Sequence, residues 1–335
     1  MIITLERSKL DDVYSLSSKL TCKEMWDSMP GSSDALTKLT LELNKYIDPY
    51  TGKVQSDYII FRKSCPLCDS ENFEFLFLKH GFDHMLCNSC DLIFTLQILD
   101  NTKLGHLEEG GEGDQYGEYK ENTQVNEMDR KKFEIVFDSL SKHTTIKKIF
   151  DFGSQSGTFL DWISEKYTGV GHEYHTPLRE LALKKGHNVL NDNLESIELE
   201  DEFDVITCWD YIDHVLDPRK VIKNLSKYLK KGGLFFFAIN NRDSLSARIM
   251  HGNSPLFIGP HHTMHYGIEQ LKKLMPGYEL LESESYVSEL NWVSNWLNFK
   301  NPELGNAELM FELFDPKKIC ELGMGIKLNA IFKKL

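Results

Sequence analysis

Two hydrophobic periods alternate along the second half of the chain. Short apolar runs, typical of buried strands, are separated by segments in which apolar residues recur at helical spacing. This alternation predicts an open, mostly parallel α/β sheet. The predicted strands are 147–152, 168–173, 187–191, 203–208 and 234–239. The predicted helices are 126–142, 157–166, 177–185 and 218–230.

The first 125 residues follow other patterns. Residues 1–60 carry apolar residues at helical spacing, which predicts an N-terminal helical extension. Residues 61–100 contain the alternating stretch FEFLFL and predict a small β ribbon. Residues 101–125 are rich in glycine and glutamate, as expected of a flexible linker or lid. The α/β domain then occupies residues 126–335.

Length and charge limit the partners of the protein. A chain of 335 residues can bury one sizeable core and carry smaller appendages. Its 38 Lys and Arg against 51 Asp and Glu disfavour a nucleic-acid partner. The longest apolar run, 234–239, is too short to cross a membrane, and the first residues lack the pattern of a secretory signal. We therefore expect a cytoplasmic monomer or homodimer that binds neither nucleic acid nor membrane.

Four of the seven cysteines form two close pairs. Cys65 and Cys68 are followed, after 18 residues, by Cys87 and Cys90. This spacing predicts a four-cysteine zinc site in which two tight turns direct four thiolates at one ion. Four unrelated buried cysteines are the weaker alternative, because each pair falls on a turn. Since four thiolates complete the coordination shell, we expect the Zn²⁺ to be structural.

The stretch FDFGSQSGTF, residues 150–159, predicts a ligand site. It joins an apolar strand to a helix, so backbone amides at the helix start point into a crevice. A dinucleotide fingerprint would need glycine at two positions that hold Gln155 and Thr158, and the lysine of a Walker motif is missing. Glu173 stands twenty residues after Gly153, where a carboxylate can accept both ribose hydroxyls. The ligand is therefore expected to contain a nucleoside.

Four blocks in order resemble the class I S-adenosylmethionine-dependent methyltransferases over residues 126–335. They are FDFGSQSGTF, VGHEY, FDVITCWDYIDHVLDP and LKKGGLFFFAIN. The resemblance implies a Rossmann-like domain with a seven-stranded, mostly parallel sheet, whose antiparallel last strand lies in GIKLNAIF, and S-adenosyl-L-methionine as cofactor. The residues that it implies around the methionine part are Asp151, Gly153, Gln155, Gly157 and Asp210, and those around the ribose and adenine are Glu173, Tyr174, Asp192 and Asn193. Gln155 departs from the glycine of the family pattern, and its side chain either turns away from the cofactor or narrows the pocket.

The cysteine ribbon upstream of such a domain resembles bacterial methyltransferases of sugars and other natural-product or cell-surface molecules. The resemblance implies methyl transfer to a small polar acceptor, first of all a hydroxyl of a sugar or related metabolite. A C- or N-methyltransferase acting on a nucleotide sugar is one alternative. A non-catalytic zinc-ribbon interaction module with a degenerate methyltransferase domain is another, and Gln155 is its only support.

Transfer to a hydroxyl requires a base, and histidine suits this task near neutral pH. His262, in the stretch GPHHTMHYG, is the first candidate by resemblance. The other candidates for the catalytic site are His261, His214 and Tyr116. A polar loop without a role, or a metal site formed by His261, His262 and His265, are the alternatives for this stretch.

Overall fold

The computed structural model describes residues 41–100, 102–104, 123–200, 202–286, 290–300 and 313–335. The strands are β1 (Ile59–Phe61), β2 (Phe73–Lys79), β3 (Phe82–Cys87), β4 (Ile93–Thr95), β5 (Gln97–Leu99), β6 (Lys148–Phe152), β7 (Thr168–His172), β8 (Val189–Leu190), β9 (Phe203–Trp209), β10 (Leu229–Asn240), β11 (Met264–His265), β12 (Tyr278–Tyr286) and β13 (Lys327–Lys334). The helices are α1 (Thr123–His143), α2 (Thr158–Ile163), α3 (Thr176–Lys184), α4 (Pro218–Leu225), α5 (Leu245–Met250), α6 (Ile268–Leu274), α7 (Leu290–Lys300) and α8 (Pro316–Glu321). Among these described helices, none has both the length and the apolar character needed to cross a membrane.

Seven strands form the central sheet, in the order β12, β13, β10, β9, β6, β7, β8. Strand β6 runs parallel to β7 and β9, and β10 runs parallel to β9. Strand β13 lies antiparallel between β10 and β12. The prediction of a Rossmann-like, mostly parallel sheet with an antiparallel last strand is confirmed.

The central strands are buried along most of their length because helices or the ribbon cover both faces of the sheet. All seven residues of β9 are buried. On one face Phe150 and Phe237 pack with residues of α4 and α6. On the other face Ile149 and Phe236 pack with residues of α1 and α2. Alternate residues of one strand thus supply two cores, one on each face of the sheet.

A second sheet holds the cysteine region, in the order β11, β4, β3, β2. Strand β11 comes from the α/β part of the chain, and its Met264 pairs with Phe94 of β4. One continuous core contains Cys65, Phe94 and Phe150, so the ribbon packs directly on one face of the central sheet. Because β11 pairs with β4 of the ribbon, the GPHHTMHYG segment that contains β11 lies near the end of the central sheet.

Two segments differ from their predicted structure. The helix expected over 218–230 ends at Leu225, and β10 already begins at Leu229, because this buried side chain pairs with Phe203 before a register shift. In the N-terminal extension only residues 41–44 of the described part are helical. A 3₁₀ turn (Ser56–Tyr58) and β1 follow, because β1 pairs with β5. Residues 1–40 and 105–122 lie outside the described part of the chain.

Candidate active site

The glycine turn follows β6 and packs against a tyrosine that the sequence analysis did not select. Gly153 has φ +85°, and a Cβ atom there would lie 2.5 Å from Cγ of Tyr211. The main-chain N–H groups of Gly153 and Ser154 both donate to the carbonyl of His172, at 2.9 Å. Glycine is therefore required at 153 by the left-handed backbone and by the contact with Tyr211.

Gln155 occupies a position where the backbone favours glycine. Its φ of +51° lies in the left-handed region, which costs a residue with a side chain roughly 1 kcal/mol. Its main-chain N–H donates to Oε2 of Glu173 at 2.8 Å, and the N–H of His175 donates to Oε1 at 2.7 Å. Glu173 is almost fully buried, and this burial raises the pKa of its carboxyl group. The carboxylate thus fixes the turn from the neighbouring strand.

A small cavity of about 40 Å³ opens beside this turn. Pockets that enclose drug-sized ligands span roughly 300–1,000 Å³. Three side chains of α1 that the sequence analysis did not select, Asp129, Lys132 and Phe133, form one wall. The other lining residues are Asp151, Gly153, Ser154, Gln155, Thr158, Phe159, Trp209 and Asp210.

Polar atoms in the cavity wall fit a polar ligand. Oγ of Ser154 and Nε1 of Trp209 are buried and have no hydrogen-bond partner among the described residues. Because buried polar groups are normally paired, such atoms indicate a missing partner. Asp210, with φ +52°, accepts a hydrogen bond from Nζ of Lys327 at 2.7 Å. Four of the nine residues predicted around the cofactor, Asp151, Gly153, Gln155 and Asp210, therefore meet at one cavity.

The other predicted cofactor residues lie outside this cavity. A Cβ atom on Gly157 would meet His187 and Ala182, so this glycine permits close packing of α2 on α3 and β8. Tyr174 is 60% exposed. Asp192 and Asn193 are exposed too, and Oδ1 of Asn193 accepts from the N–H of Glu195 in a local turn. The residues expected at the ribose and adenine thus lie beyond the carboxyl ends of β7 and β8.

Asp151 is the most deeply buried acid of the cavity wall. Its side chain is 1% exposed and accepts a hydrogen bond from Oγ1 of Thr207 at 2.7 Å. Burial, with a smaller contribution from the nearby carboxylate of Glu173, raises the pKa of Asp151 to about 7.

This raised pKa predicts a pH-dependent stability. The unfolded chain releases the proton of Asp151 near pH 3.9, whereas the folded protein keeps it up to about pH 7. The free energy of unfolding should therefore fall as the pH rises from 4 to 7, by at most about 4 kcal/mol, and then level off. Urea unfolding of the wild type and of Asp151→Asn at several pH values measures this contribution as a difference. Parallel pH profiles of the two proteins would show that Asp151 ionises normally.

Three of the predicted histidines lie together near Tyr211. His214 ends a 3₁₀ turn (Ile212–His214) after β9, and its ring centroid lies 4.8 Å from that of His262 and 6.2 Å from that of His261. The ring of Tyr211 stacks on His214 with centroids 5.8 Å apart. Because Tyr211 also contacts Gly153, it joins the histidine cluster to the cavity.

Asp213 is the member of this cluster that the sequence analysis missed. Its side chain is about 5% exposed, with Oδ2 lying 3.6 Å from Nδ1 of His262 and Oδ1 lying 3.9 Å from Nε2 of His214. Desolvation lowers the pKa of His214 to about 4 and that of His261 to about 3. The sequence signal for Asp213 was its position directly before His214, in a block that resembles the methyltransferases.

The remaining histidine of the GPHHTMHYG stretch faces another environment. His265 lies in β11, where its ring stacks on that of His84 with centroids 5.5 Å apart and meets Phe257 edge-on. The set of His261, His262 and His265 considered as a metal site is therefore not the cluster that the structure forms. Tyr116 lies outside the described residues.

The four paired cysteines converge on one point. Their Sγ atoms all lie within 4.8 Å of one another, and two of the distances, Cys65 to Cys90 and Cys68 to Cys87, are 3.5 Å. Four sulfurs around a tetrahedral Zn²⁺, with bonds of about 2.3 Å, would be about 3.8 Å apart. The two turns are alike, because the residue after each pair, Asp69 or Asp91, has φ near +60°. The donor set and its geometry fit zinc.

Comparison with known families agrees with this fold. Residues 126–280 match the family model described as a methyltransferase domain. The match covers a little less than half of the chain, and this part has the Rossmann-like fold of methyltransferase domains. It begins within α1 and ends in β12, so it contains the glycine turn, the cavity and the histidine cluster.

Curated relatives of the methyltransferase domain are similar over part of the chain. The ubiquinone biosynthesis O-methyltransferase of Thiobacillus denitrificans is 32% identical over 113 residues, which are 30% of this chain and 47% of that protein. The protein of the same name from Aliivibrio fischeri is 31% identical over 139 residues, 39% of this chain and 53% of that protein. The chain spans about half the length of the curated relatives that it matches.

Two solved structures are similar to a larger share of the chain. One is a S-adenosylmethionine-dependent methyltransferase of Thermotoga maritima, described as a possible histamine N-methyltransferase, with 20% identity, a TM-score of 0.44 and coverage of 66% of this chain and 96% of that chain. The other is an O-methyltransferase of a Brevibacillus brevis multienzyme in complex with S-adenosyl-L-homocysteine, with 14% identity, a TM-score of 0.44 and coverage of 69% and 79%.

Proposed function

We propose that the protein transfers the methyl group of S-adenosyl-L-methionine to a hydroxyl group of a small polar acceptor. The single observation that carries this proposal is the contact of Tyr211 with both Gly153 and His214. Through it, a cofactor crevice and a cluster of proton-accepting side chains lie side by side. The curated relatives are named O-methyltransferases, which supports oxygen as the methylated atom.

The residues proposed to hold the cofactor follow from the cavity. Asp151, Gly153 and Asp210 would hold its methionine part, and the unpartnered Oγ of Ser154 would donate or accept a hydrogen bond there. Each carboxylate oxygen of Glu173 accepts one backbone N–H and has a further lone pair. With these lone pairs Glu173 would accept hydrogen bonds from the ribose hydroxyls. When bound, the cofactor supplies a sulfonium-linked methyl group that is already a strong electrophile.

His262 is the proposed base of the reaction. Its Nδ1 faces the buried carboxylate of Asp213, which favours a proton on Nδ1 and leaves Nε2 as the acceptor. The proton of the acceptor hydroxyl would pass to Nε2 of His262 while the hydroxyl oxygen takes the methyl group. A polar cluster of this kind suits an acceptor rich in hydroxyl groups, and a sugar or related metabolite is the class that we propose.

The four cysteines are proposed to hold a structural Zn²⁺. Arg219 of α4 forms an ion pair with Asp69, and Nζ of Lys273 donates to the carbonyl of Cys90 at 3.1 Å, so helices of the large domain contact both cysteine turns. Zinc-bound thiolates suit a reducing compartment, which agrees with the cytoplasmic location predicted from the sequence.

Calorimetric titration with S-adenosyl-L-methionine and S-adenosyl-L-homocysteine tests the cofactor. We expect saturable binding of both, and binding weaker by roughly 10- to 100-fold in Glu173→Gln, because a hydrogen bond to a charged group contributes roughly 1.5–3 kcal/mol. Folded wild-type protein that binds neither compound would contradict the proposal and favour the non-catalytic interaction module.

Gln155→Gly is the matched control for this titration. It keeps the main-chain N–H that donates to Glu173 and removes both the left-handed strain and the side chain in the cavity wall. We expect this variant to bind the cofactor at least as tightly as the wild type and to unfold at a higher temperature. Equal weakening in both variants would point to damage of the turn and not to loss of a ribose contact.

A further inference from the structure

Three potential ligand atoms of the histidine cluster lie close together. The ligand atoms of Asp213, His214 and His262 all lie within 4.8 Å of one another. Around a tetrahedral cation with bonds of about 2.1 Å, ligand atoms are about 3.4 Å apart. Oδ2 of Asp213 lies 3.6 Å from Nδ1 of His262, and its Oδ1 lies 3.9 Å from Nε2 of His214, so both distances exceed this by a few tenths of an ångström.

Two of these atoms are buried without the partner that they need. Oδ1 of Asp213 and Nδ1 of His262 have no hydrogen-bond partner within the described part of the chain. Asp213 is 4% exposed, so water can supply few of the missing hydrogen bonds. An unpaired buried carboxylate is costly, and 3.6 Å is too long for a direct hydrogen bond between Asp213 and His262. A cation between them would satisfy both atoms.

The two segments that carry the three residues are held together by other contacts. The N–H of Thr263 donates to the carbonyl of Asp213 at 3.1 Å. Arg62 reaches from the ribbon and donates to the carbonyl of Leu216 at 3.1 Å and to Oγ1 of Thr263 at 3.4 Å. The ligand atoms are therefore brought together before any ion binds, which reduces the entropy cost of binding.

We propose that Asp213, His214 and His262 form a binding site for one divalent transition-metal ion. Two imidazoles and one carboxylate suit Zn²⁺, Ni²⁺, Cu²⁺ or Fe²⁺ better than Mg²⁺ or Ca²⁺, which prefer oxygen ligands. Three protein ligands leave at least one coordination position open. This site is separate from the four-cysteine site and uses only His262 of the histidines in the GPHHTMHYG stretch that the sequence suggested as metal ligands.

Metal binding here has a consequence that rests on the proposed function. A cation on Nδ1 of His262 keeps the proton of the ring on Nε2, so the ring no longer accepts a proton from the acceptor hydroxyl. Metal binding and proton acceptance therefore exclude each other, and excess cation should inhibit methyl transfer.

Nickel titration of the tag-free full-length protein tests the site. The cysteine site is first loaded with one equivalent of zinc, verified by elemental analysis, and binding of NiCl₂ is then followed by calorimetry. We expect one further equivalent to bind, and the affinity to fall in His262→Ala and in His214→Ala by more than the roughly 10- to 100-fold that loss of an outer contact costs. His261→Ala removes a neighbouring imidazole that is not a ligand and should retain the nickel.

The outcomes separate the metal site from the proposed function. If the zinc-loaded wild type binds no nickel, or if both His214→Ala and His262→Ala bind it as the wild type does, the metal site is wrong. The metal site would be wrong even if His262→Ala were inactive, although that inactivity would still support His262 as the base. If nickel binds through these residues and does not inhibit methyl transfer, the metal site stands and His262 is not the base.

Discussion

Replacing Cys87 by serine should lower the melting temperature of the protein by about 10 °C or more. Zinc binding contributes roughly 10–16 kcal/mol to folding in small zinc domains, and loss of one thiolate removes a large part of it. The effect should extend beyond the ribbon, because Cys65, Cys87 and Phe94 share a buried core with Phe150 of the central sheet. Thermal unfolding and elemental zinc analysis of the same samples measure the change.

Cys320→Ala is the control for this prediction. Cys320 is also a buried cysteine, at the end of α8, and lies outside the four-cysteine cluster. We expect this variant to keep one equivalent of zinc and nearly all of its thermal stability. The prediction would be wrong if the purified wild-type protein contained no zinc and Cys87→Ser were as stable as Cys320→Ala. Zinc would then not stabilise the fold.

Replacing His262 by alanine should reduce the rate of methyl transfer by about 100- to 10,000-fold, the usual contribution of a general base. The affinity for S-adenosyl-L-methionine should not change, because His262 does not line the cavity beside the glycine turn. Formation of S-adenosyl-L-homocysteine, measured with a hydroxyl acceptor found by screening sugars and related metabolites, gives the rate. Calorimetry gives the cofactor affinity of the same variant.

His251→Asn is the matched control for His262→Ala. His251 is exposed and belongs to neither the cavity nor the histidine cluster, so its replacement removes an imidazole that lies away from the site. We expect this variant to retain the wild-type rate. A His262→Ala variant that is as active as His251→Asn would exclude His262 as the base, and the search would move to His214 and Asp213.

The strands of the central sheet could be predicted from the chain because most of them carry a short apolar run. Strands buried on both faces, such as β6 and β9, leave this pattern in the sequence, and the glycine turn must follow the first of them. The end of the helix at Leu225 could not be predicted in this way. It depends on the pairing of Leu229 with Phe203, which is distant in sequence.

Some residues of the cavity wall could be predicted from the sequence, and others could not. Asp151 and Gly153 belong to one short motif, so the sequence indicated both. Lys132 belongs to α1, and the apolar spacing of this helix predicts only that the helix packs against the sheet. Nζ of Lys132 lies 5.2 Å from the ring centroid of Trp209, and this contact depends on how α1 crosses the sheet. Local pattern does not encode that crossing.

The α/β sheet, the glycine turn proposed to bind the cofactor and the four cysteines with zinc spacing could be recognised in the sequence, because each depends on residues that are close along the chain. Which histidines meet could not be recognised there, because it depends on how distant segments pack. Strand β11 pairs with β4 of the ribbon, and this pairing takes His265 into the ribbon sheet while His262 stays beside Asp213. Contacts between residues far apart in the sequence are set by packing and strand register, which a local pattern does not encode.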